Sequence, residues 1–359
     1  MNSERKIYLV RHGRPDVPLN EKYCLGRTDK PLGTIGKMQG YILGQELKNK
    51  NLSGVFCSSL SRASQTAAFI SDDYVIFNGL EEADAGEWDG LSFDEIKAQW
   101  PDIYEKRGED TGFDIPGEEP KSAAHRRFTD ALRLILLLTS GDIAVVSHTT
   151  VIGTLLAECN GASPEMCRKY RIPYGSYCEV TYDGEFHTDN IVHTPRAELA
   201  EDLCLALRDV SGIPDKIKLH CDAVAREALR ICDELEAKGY SFNRELIKSA
   251  SLMHDIARLE RGHEYAGSEY LKALGFGDVA EIVRVHGELE DEDINEASVV
   301  FIADKNIKET ARVSVEERYT ISCDKCRTPE GLEIHIRRMQ QALRIKDKIN
   351  NICGKEVIL

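Results

Sequence analysis

Four separated segments of this chain carry residue types suited to moving a phosphoryl group. Arg11-His12-Gly13 follows the apolar run 6–10. The guanidinium of Arg11 offers a rigid fork of donors for phosphate oxygens. The imidazole of His12 can act as a nucleophile or an acid–base group. Gly13 is expected to let the backbone turn sharply and approach a ligand. A second segment, 57–66, passes from an expected strand into an expected helix, with Arg62 in the first turn. Helix N-termini favour anions, and Arg62 would add a full charge there. A third, Val145-Val146-Ser147-His148-Thr149-Thr150, is again a strand end followed by a helix. The fourth, 80–90, places Glu81 and Glu82 ahead of Gly86, Trp88 and Gly90. Each segment is weak alone, since an isolated Arg62 reads as surface and an isolated His148 as a satisfied core histidine.

A second collection lies further along: His220, the pair His254-Asp255, His263, His286 and Asp304. Imidazole and carboxylate together suit a divalent Mn, Fe, Co, Ni or Zn ion. The His-Asp pair at a helix end can point both side chains at one ion, with His220 and Asp304 closing the shell from other helices. A single His-Asp dipeptide usually means nothing, and helical histidines are more often core or surface. Asp222, Asp291 and Asp293 read as solvated surface.

The elements that must position these residues fall into two textures. Short β-branched or apolar runs alternate with helical patterns over the first half. Strands are expected at 6–10, 54–57, 143–146, 178–182 and 190–193, and helices at 34–48, 61–70, 122–138 and 150–159. That alternation predicts an α/β domain with a mostly parallel, helix-covered sheet. From 197 to 350 almost no strand pattern remains. Helices are expected at 216–238, 244–256, 263–274, 277–286, 295–304 and 329–350. With 359 residues, two domains are favoured: an α/β domain over 1–195 and an all-α domain over 200–359.

The formal net charge of -15 argues against nucleic acid or an anionic membrane as a partner held by bulk electrostatics. A local arginine cluster can still bind phosphate, because a desolvated pocket screens less than water. The first strand starts almost at once, without a signal-type apolar region, and the apolar stretch 132–138 is too short to span a bilayer. The expected location is cytoplasmic. Eleven scattered cysteines read as reduced thiols. Cys323 and Cys326 lack the second pair that a zinc site needs.

The first four segments, in this order, resemble the histidine phosphatase superfamily, which includes cofactor-dependent phosphoglycerate mutases and α-ribazole phosphatases. The resemblance covers about 5–195. It implies a phosphoglycerate mutase-like three-layer domain that needs no cofactor. His12 would attack phosphorus and form a phosphohistidine, Arg11, Arg62 and His148 would hold the phosphate oxygens, and Glu82 would serve as acid and then base. Family spacing to Gly86 and Trp88 selects Glu82 over Glu81. Arg14 and Pro15 stand where many members carry Glu and then Thr or Ser. Val17 or Pro18, and Leu25, stand where the mutases carry Asn and Thr. These departures favour hydrolysis over mutase activity. Pro116-Gly117-Glu118-Glu119 lacks the second Gly and the Ser of the family's pocket loop, which leaves the substrate open.

The order His220, His254-Asp255, Asp304 resembles the HD superfamily of metal-dependent phosphohydrolases over about 213–325. It implies one or two divalent ions held by His220, His254, Asp255 and Asp304. His263 and His286 fall where members with two ions place extra histidines. Arg258, where Lys often follows, is expected to contact a substrate phosphate. The combined expectation is a bifunctional phosphohydrolase acting on small phosphorylated metabolites or nucleotides, with a homo-oligomer also compatible. The alternatives are an HD domain that senses a metal or nucleotide without turnover, and a phosphatase domain acting on phosphoproteins.

Overall fold

Side chains alternate across a strand, and β1 (Arg5–Arg11) shows it plainly. Ile7 and Leu9 point to one side, Tyr8 and Val10 to the other, and all four are buried. A strand buried on both faces needs helices on both. The computed structural model, which describes residues 5–109, 113, 115–324 and 326–359, supplies them. The chain divides into two units, Met1–Ala197 and Glu198–Leu359.

In the first unit β1 is followed by α1 (Thr34–Leu47), β2 (Gly54–Cys57), α2 (Ser61–Ile70) and β3 (Val75–Ile76). Then come α3 (Phe93–Gln99), α4 (Pro101–Glu109), α5 (Lys121–Leu138), β4 (Ile143–Ser147), α6 (Thr149–Cys159), β5 (Tyr177–Tyr182) and β6 (Phe186–His193). The sheet order is β3-β2-β4-β1-β5-β6. The first four strands are parallel, and β5 and β6 are antiparallel additions at one edge. Ile7 and Leu9 pack with Phe128, Leu132, Ile152 and Leu155 of α5 and α6. Tyr8 and Val10 pack with Leu43, Leu47, Ala63 and Ala67 of α1 and α2. The result is three layers.

Two helices, α3 and α4, were not expected from the pattern. Their signal is short but readable. Ser92 accepts from the Glu95 N–H, and the Glu95 carboxylate accepts from the Ser92 N–H, a capping box that starts α3.

The second unit contains α7 (Glu201–Ser211), α8 (Asp215–Glu236), α9 (Arg244–Met253), α10 (His263–Ala273), α11 (Gly277–Val285) and α12 (Glu296–Lys305). A small hairpin, β7 (Ile307–Lys308) and β8 (Ala311–Arg312), interrupts the helices before α13 (Val315–Cys323) and α14 (Pro329–Cys353). On α8 the buried Ile217, Cys221, Val224, Ala228, Ile231 and Leu235 recur at three- and four-residue steps, one face of a helix. In α12, Ser298 through Asp304 are all buried. An α-helix apolar all round belongs in a core, and α12 packs against both α8 and α9.

Candidate functional site

Parallel strands end at the same edge of a sheet, and β2, β4 and β1 are neighbours. Ser58, His148 and His12, each one residue past its strand, therefore come together although 46 to 136 positions separate them in sequence. The His148 Nε2 lies 2.9 Å from the Ser58 Oγ, and the His12 and His148 rings are 4.9 Å apart.

His12 is 4% exposed. Its Nδ1 lies 2.7 Å from the Gly13 carbonyl oxygen. A carbonyl can only accept, so Nδ1 carries the proton and Nε2 keeps its lone pair. The Arg62 Nε donates toward that Nε2 at 3.3 Å. Burial, then the Arg62 and Arg11 charges, hold the imidazole pKa well below 6.5. Burial and Arg62 do the same to His148. Arg11 donates to the Ile172 carbonyl at 2.7 Å and lies 3.7 Å over the Tyr174 ring. Arg62 is 1% exposed and donates to the Gly26 and Thr28 carbonyls. Among the described residues, the Arg11 Nε and the His148 Nδ1 are buried without a partner. The cluster therefore holds two guanidinium charges, two neutral imidazoles and spare donors, a setting that favours a bound anion.

Glu82 faces the same cavity, of about 310 Å³, as Arg11 and His12. Its Oε2 accepts from the Thr150 N–H at 3.1 Å, and its Oε1 from the Ala83 and Val151 N–H. The open N-terminus of α6 thus holds the carboxylate in place. Glu81 differs: its oxygens take the Ser59 hydroxyl and the Gly79 N–H, away from this cavity's lining. Val17 and Leu25 line the cavity, and so do Arg14 and Pro15.

Gly13 plays a part that the sequence did not suggest. A Cβ there would sit 2.4 Å from the Gly36 carbonyl oxygen. The bare position lets the loop lie against α1. Three residues absent from the expectations also matter. Ser58 buttresses His148. Asp89 accepts from the Gly26, Arg27 and Thr28 N–H groups, each at 2.8 Å, and so fixes the loop whose carbonyls hold Arg62. Arg127 donates to the carbonyls of Gly79, Glu81 and Glu82. The Trp88-Asp89-Gly90 motif was the available signal for Asp89.

In the second unit, α9 ends at Met253, three residues earlier than expected. His254 and Asp255 lie in tighter turns, with Ile256 N–H donating to Met253 and Arg258 N–H to Asp255. His220, His254 and Asp304 offer atoms all within 4.8 Å of one another, as do Asp255, His263 and His286. Three imidazoles, His220, His254 and His286, direct Nδ1 at the carbonyls of Glu309, Ser251 and Val283. His254 and His286 thereby keep an Nε2 lone pair for another partner, whereas the His220 Nε2 lies 3.0 Å from the Asp304 Oδ1. His263 directs Nδ1 at the Glu264 carboxylate, 3.3 Å away, and Nε2 at Arg258.

The carboxylates are poised as anions. Burial raises the Asp304 pKa, but Lys305 and the hydrogen bond from His220 overcome it and hold it well below the usual range. Asp255 is likewise lowered against burial, by His254, His263 and Arg258. Burial pushes His286 down to about 3. The Asp304 bond and charge outweigh burial at His220 and raise it. The His254 Nε2 and the Asp255 Oδ1 are buried without a hydrogen-bond partner among the described residues. A divalent cation would satisfy both, so this donor set fits a metal.

Arg258 lines a cavity of about 610 Å³ with His220, Asp255 and Asp304, within 3.5 Å of the Asp255 carboxylate. Asp222 is not merely solvated. It pairs at 2.8 Å with Arg208, which is only 3% exposed and needs a counter-charge. Asp293 is 88% exposed. No described helix is long and apolar enough to cross a membrane.

Comparison with known proteins bears on the family and the fold. The family model for the histidine phosphatase superfamily (branch 1) matches residues 7–189, and that for the HD domain matches 219–306. The Bifunctional protein Rv2228c of Mycobacterium tuberculosis is 31% identical over 157 residues, 42% of this chain and 43% of that protein. The chain thus spans less than half the length of that relative. The Uncharacterized phosphatase PhoE of Bacillus subtilis is 29% identical over 166 residues, 45% of this chain and 80% of that protein. Among solved structures, Mycobacterial hydrolase 2 superposes with a TM-score of 0.50 at 19% identity, over 59% of this chain and 99% of that one, a likeness of fold. The chain belongs to the histidine phosphatase superfamily, branch 1, and carries an HD domain behind that domain.

Proposed function

We propose that this chain is a two-site phosphohydrolase, with a metal-independent phosphomonoesterase in the first unit and a metal-dependent phosphohydrolase in the second. The observation that carries the first assignment is the convergence of a neutral, buried His12 with Arg11, Arg62 and His148 on a cavity that also exposes Glu82.

The His12 Nε2 lone pair attacks phosphorus, the phosphorus–oxygen bond to the leaving alcohol breaks, and an Nε2–phosphorus bond forms. Glu82 gives its proton to the departing oxygen, then takes one from the water that attacks the phosphohistidine. Inorganic phosphate leaves and His12 is restored. The Gly13 carbonyl holds the Nδ1 proton as the ring becomes cationic. Arg11, Arg62 and His148 neutralise the equatorial oxygens. The departures at Arg14, Pro15, Val17 and Leu25 support hydrolysis over mutase transfer.

In the second unit His220, His254 and Asp304 would hold one divalent ion, and Asp255, His263 and His286 a second. When bound, such ions supply Lewis-acid charge and a hydroxide near neutral pH. The chain's own part is to fix the imidazole tautomers through backbone carbonyls and to keep both carboxylates ionised. Arg258, 46% exposed at its side chain, would meet a substrate phosphate at the mouth of this cavity. Small phosphorylated metabolites or nucleotides in the cytoplasm are the proposed substrates.

The test is a screen of phosphomonoesters and nucleotides on wild type and His12→Ala, with and without chelator. One activity should survive chelation and vanish in the variant, and another should do the reverse. If every activity responded to chelator alone, the first assignment would be wrong.

A further inference from the structure

The cavity at His12 does not end at Glu82. A second chamber of about 200 Å³ adjoins it, and the two share Cys24, Leu25, Glu82, Phe93, Thr150 and Arg171 in their linings. Beyond the shared wall the chamber presents Trp88, Tyr104, Arg107 and Arg168.

Trp88 is 2% exposed, and its Nε1 is buried with no hydrogen-bond partner among the described residues. An indole N–H can only donate. A buried donor left unmade is costly, and Trp88 lines the chamber.

Of the two carboxylates in the lining among the described residues, Glu82 is held by backbone N–H groups. Glu118 is ion-paired with Arg107 at 3.2 Å and with Lys121. Arg168 donates to the Arg107 carbonyl. Arg168 and Arg171 have no carboxylate within ion-pair distance among the described residues. Burial, then the like charges of Arg107 and Arg171, lower the Arg168 pKa. The Cys24 thiol in the lining is pushed up to about 12 by burial and adds no negative charge. Two guanidiniums without a carboxylate partner among the described residues, in a chain of net charge -15, form a local anion seat.

We infer that the substrate of the first unit is a phosphomonoester whose leaving alcohol carries a second oxyanion, bound by Arg168 and Arg171. This rests on the phosphatase reading of the His12 site. The scissile phosphate occupies the His12 cavity, and the body passes the apolar wall of Leu25 and Phe93. The remote oxyanion reaches the arginines. Binding energy gained there holds the ester bond in line with Nε2.

The test uses the full chain with His12→Ala, which stops turnover, and Trp100→Phe, which leaves Trp88 as the one tryptophan of the two present. Three probes share one carbon skeleton: glucose 6-phosphate, 6-phosphogluconate with an added carboxylate, and glucose 1,6-bisphosphate with an added phosphate. Binding is read from Trp88 fluorescence. At least one of the two extended probes should bind about tenfold or more tighter than glucose 6-phosphate, and which one does so identifies the oxyanion. Arg168→Gln with Arg171→Gln should reduce that preference to within about twofold. Arg171→Lys, which keeps the charge at an exposed position, should retain much of it, and unchanged thermal midpoints separate this from misfolding. Equal affinity for all three probes, no binding of either extended probe, or a preference that survives the double glutamine variant would overturn the inference. If wild type hydrolyses no phosphomonoester while the preference persists, the catalytic reading fails and the oxyanion seat stands.

Discussion

The two sites use histidine in the same way and surround it with opposite charge. His12, His254 and His286 each tie Nδ1 to a backbone carbonyl and so keep the lone pair on Nε2. Around His12 the charged neighbours are Arg11 and Arg62. Around His254 they are Asp255 and Asp304. Two guanidiniums beside His12 suit an anion, as a phosphate ester would be. Two carboxylates beside His254, with Nε2 of His254 and Oδ1 of Asp255 unpartnered among the described residues, suit a divalent cation. In the proposed function one imidazole tautomer serves as a nucleophile in the first unit and as a ligand in the second, and the neighbours decide which.

The sharpest way to break this contrast is to remove the nucleophile. His12→Ala should lower the chelator-resistant phosphatase activity by about a thousandfold or more and leave metal content unchanged. Next in size is the cation side. Asp304→Ala should weaken metal binding by at least about 100-fold, measured by metal analysis after dialysis, while the His12-dependent activity persists. Retained metal in that variant would remove Asp304 from the ligand set. Arg62→Ala should cost about 10²–10³ in kcat. Glu81→Gln serves as a control for Glu82→Gln, since only Glu82 faces the cavity.

Smaller effects test how the first site is held. Asp89→Asn weakens three backbone hydrogen bonds to the loop that carries Gly26 and Thr28. It should destabilise the fold by about 1–3 kcal/mol, read from the denaturant midpoint. The pH dependence follows from His12 and His148, whose folded pKa values lie below 6.5. The unfolded chain then binds more protons as pH falls through 6.5, so stability rises with pH there. Their contribution is complete above the unfolded value and is lost progressively below it. Wild type should lose more stability between pH 7.5 and 5.5 than a His12→Asn, His148→Asn variant, measured by urea unfolding of chelated protein. Equal losses would show that these imidazoles titrate normally.

Much of this was legible in the sequence because strand ends are. Arg11, His12 and His148 follow apolar runs that could only be buried strands, and parallel pairing brings their ends together. Glu82 was chosen over Glu81 by family spacing, and the Thr150 and Val151 amides give that choice a physical reason. What stayed hidden acts through the backbone of distant segments. Asp89 holds amides about 60 positions away, and Arg127 holds carbonyls more than 40 positions away; no periodicity records such bonds. Gly13 also has a packing reason that its sequence context did not show, because the bare Cα lies against Gly36 of α1. The end of α9 was read three residues late, since His254 and Asp255 continue the helical pattern while their amides turn to shorter bonds. Asp222 looked solvated because its buried partner, Arg208, lies on another helix.

The most direct test of the contrast is to trap the covalent intermediate in the absence of metal. Chelated wild-type protein is mixed with a small phosphomonoester, quenched at alkaline pH, and the peptide containing His12 is analysed by mass spectrometry. The account predicts one phosphoryl group on His12, absent in His12→Ala. Turnover that continues under chelation with no phosphoryl group on His12, or turnover that stops on chelation, would contradict it.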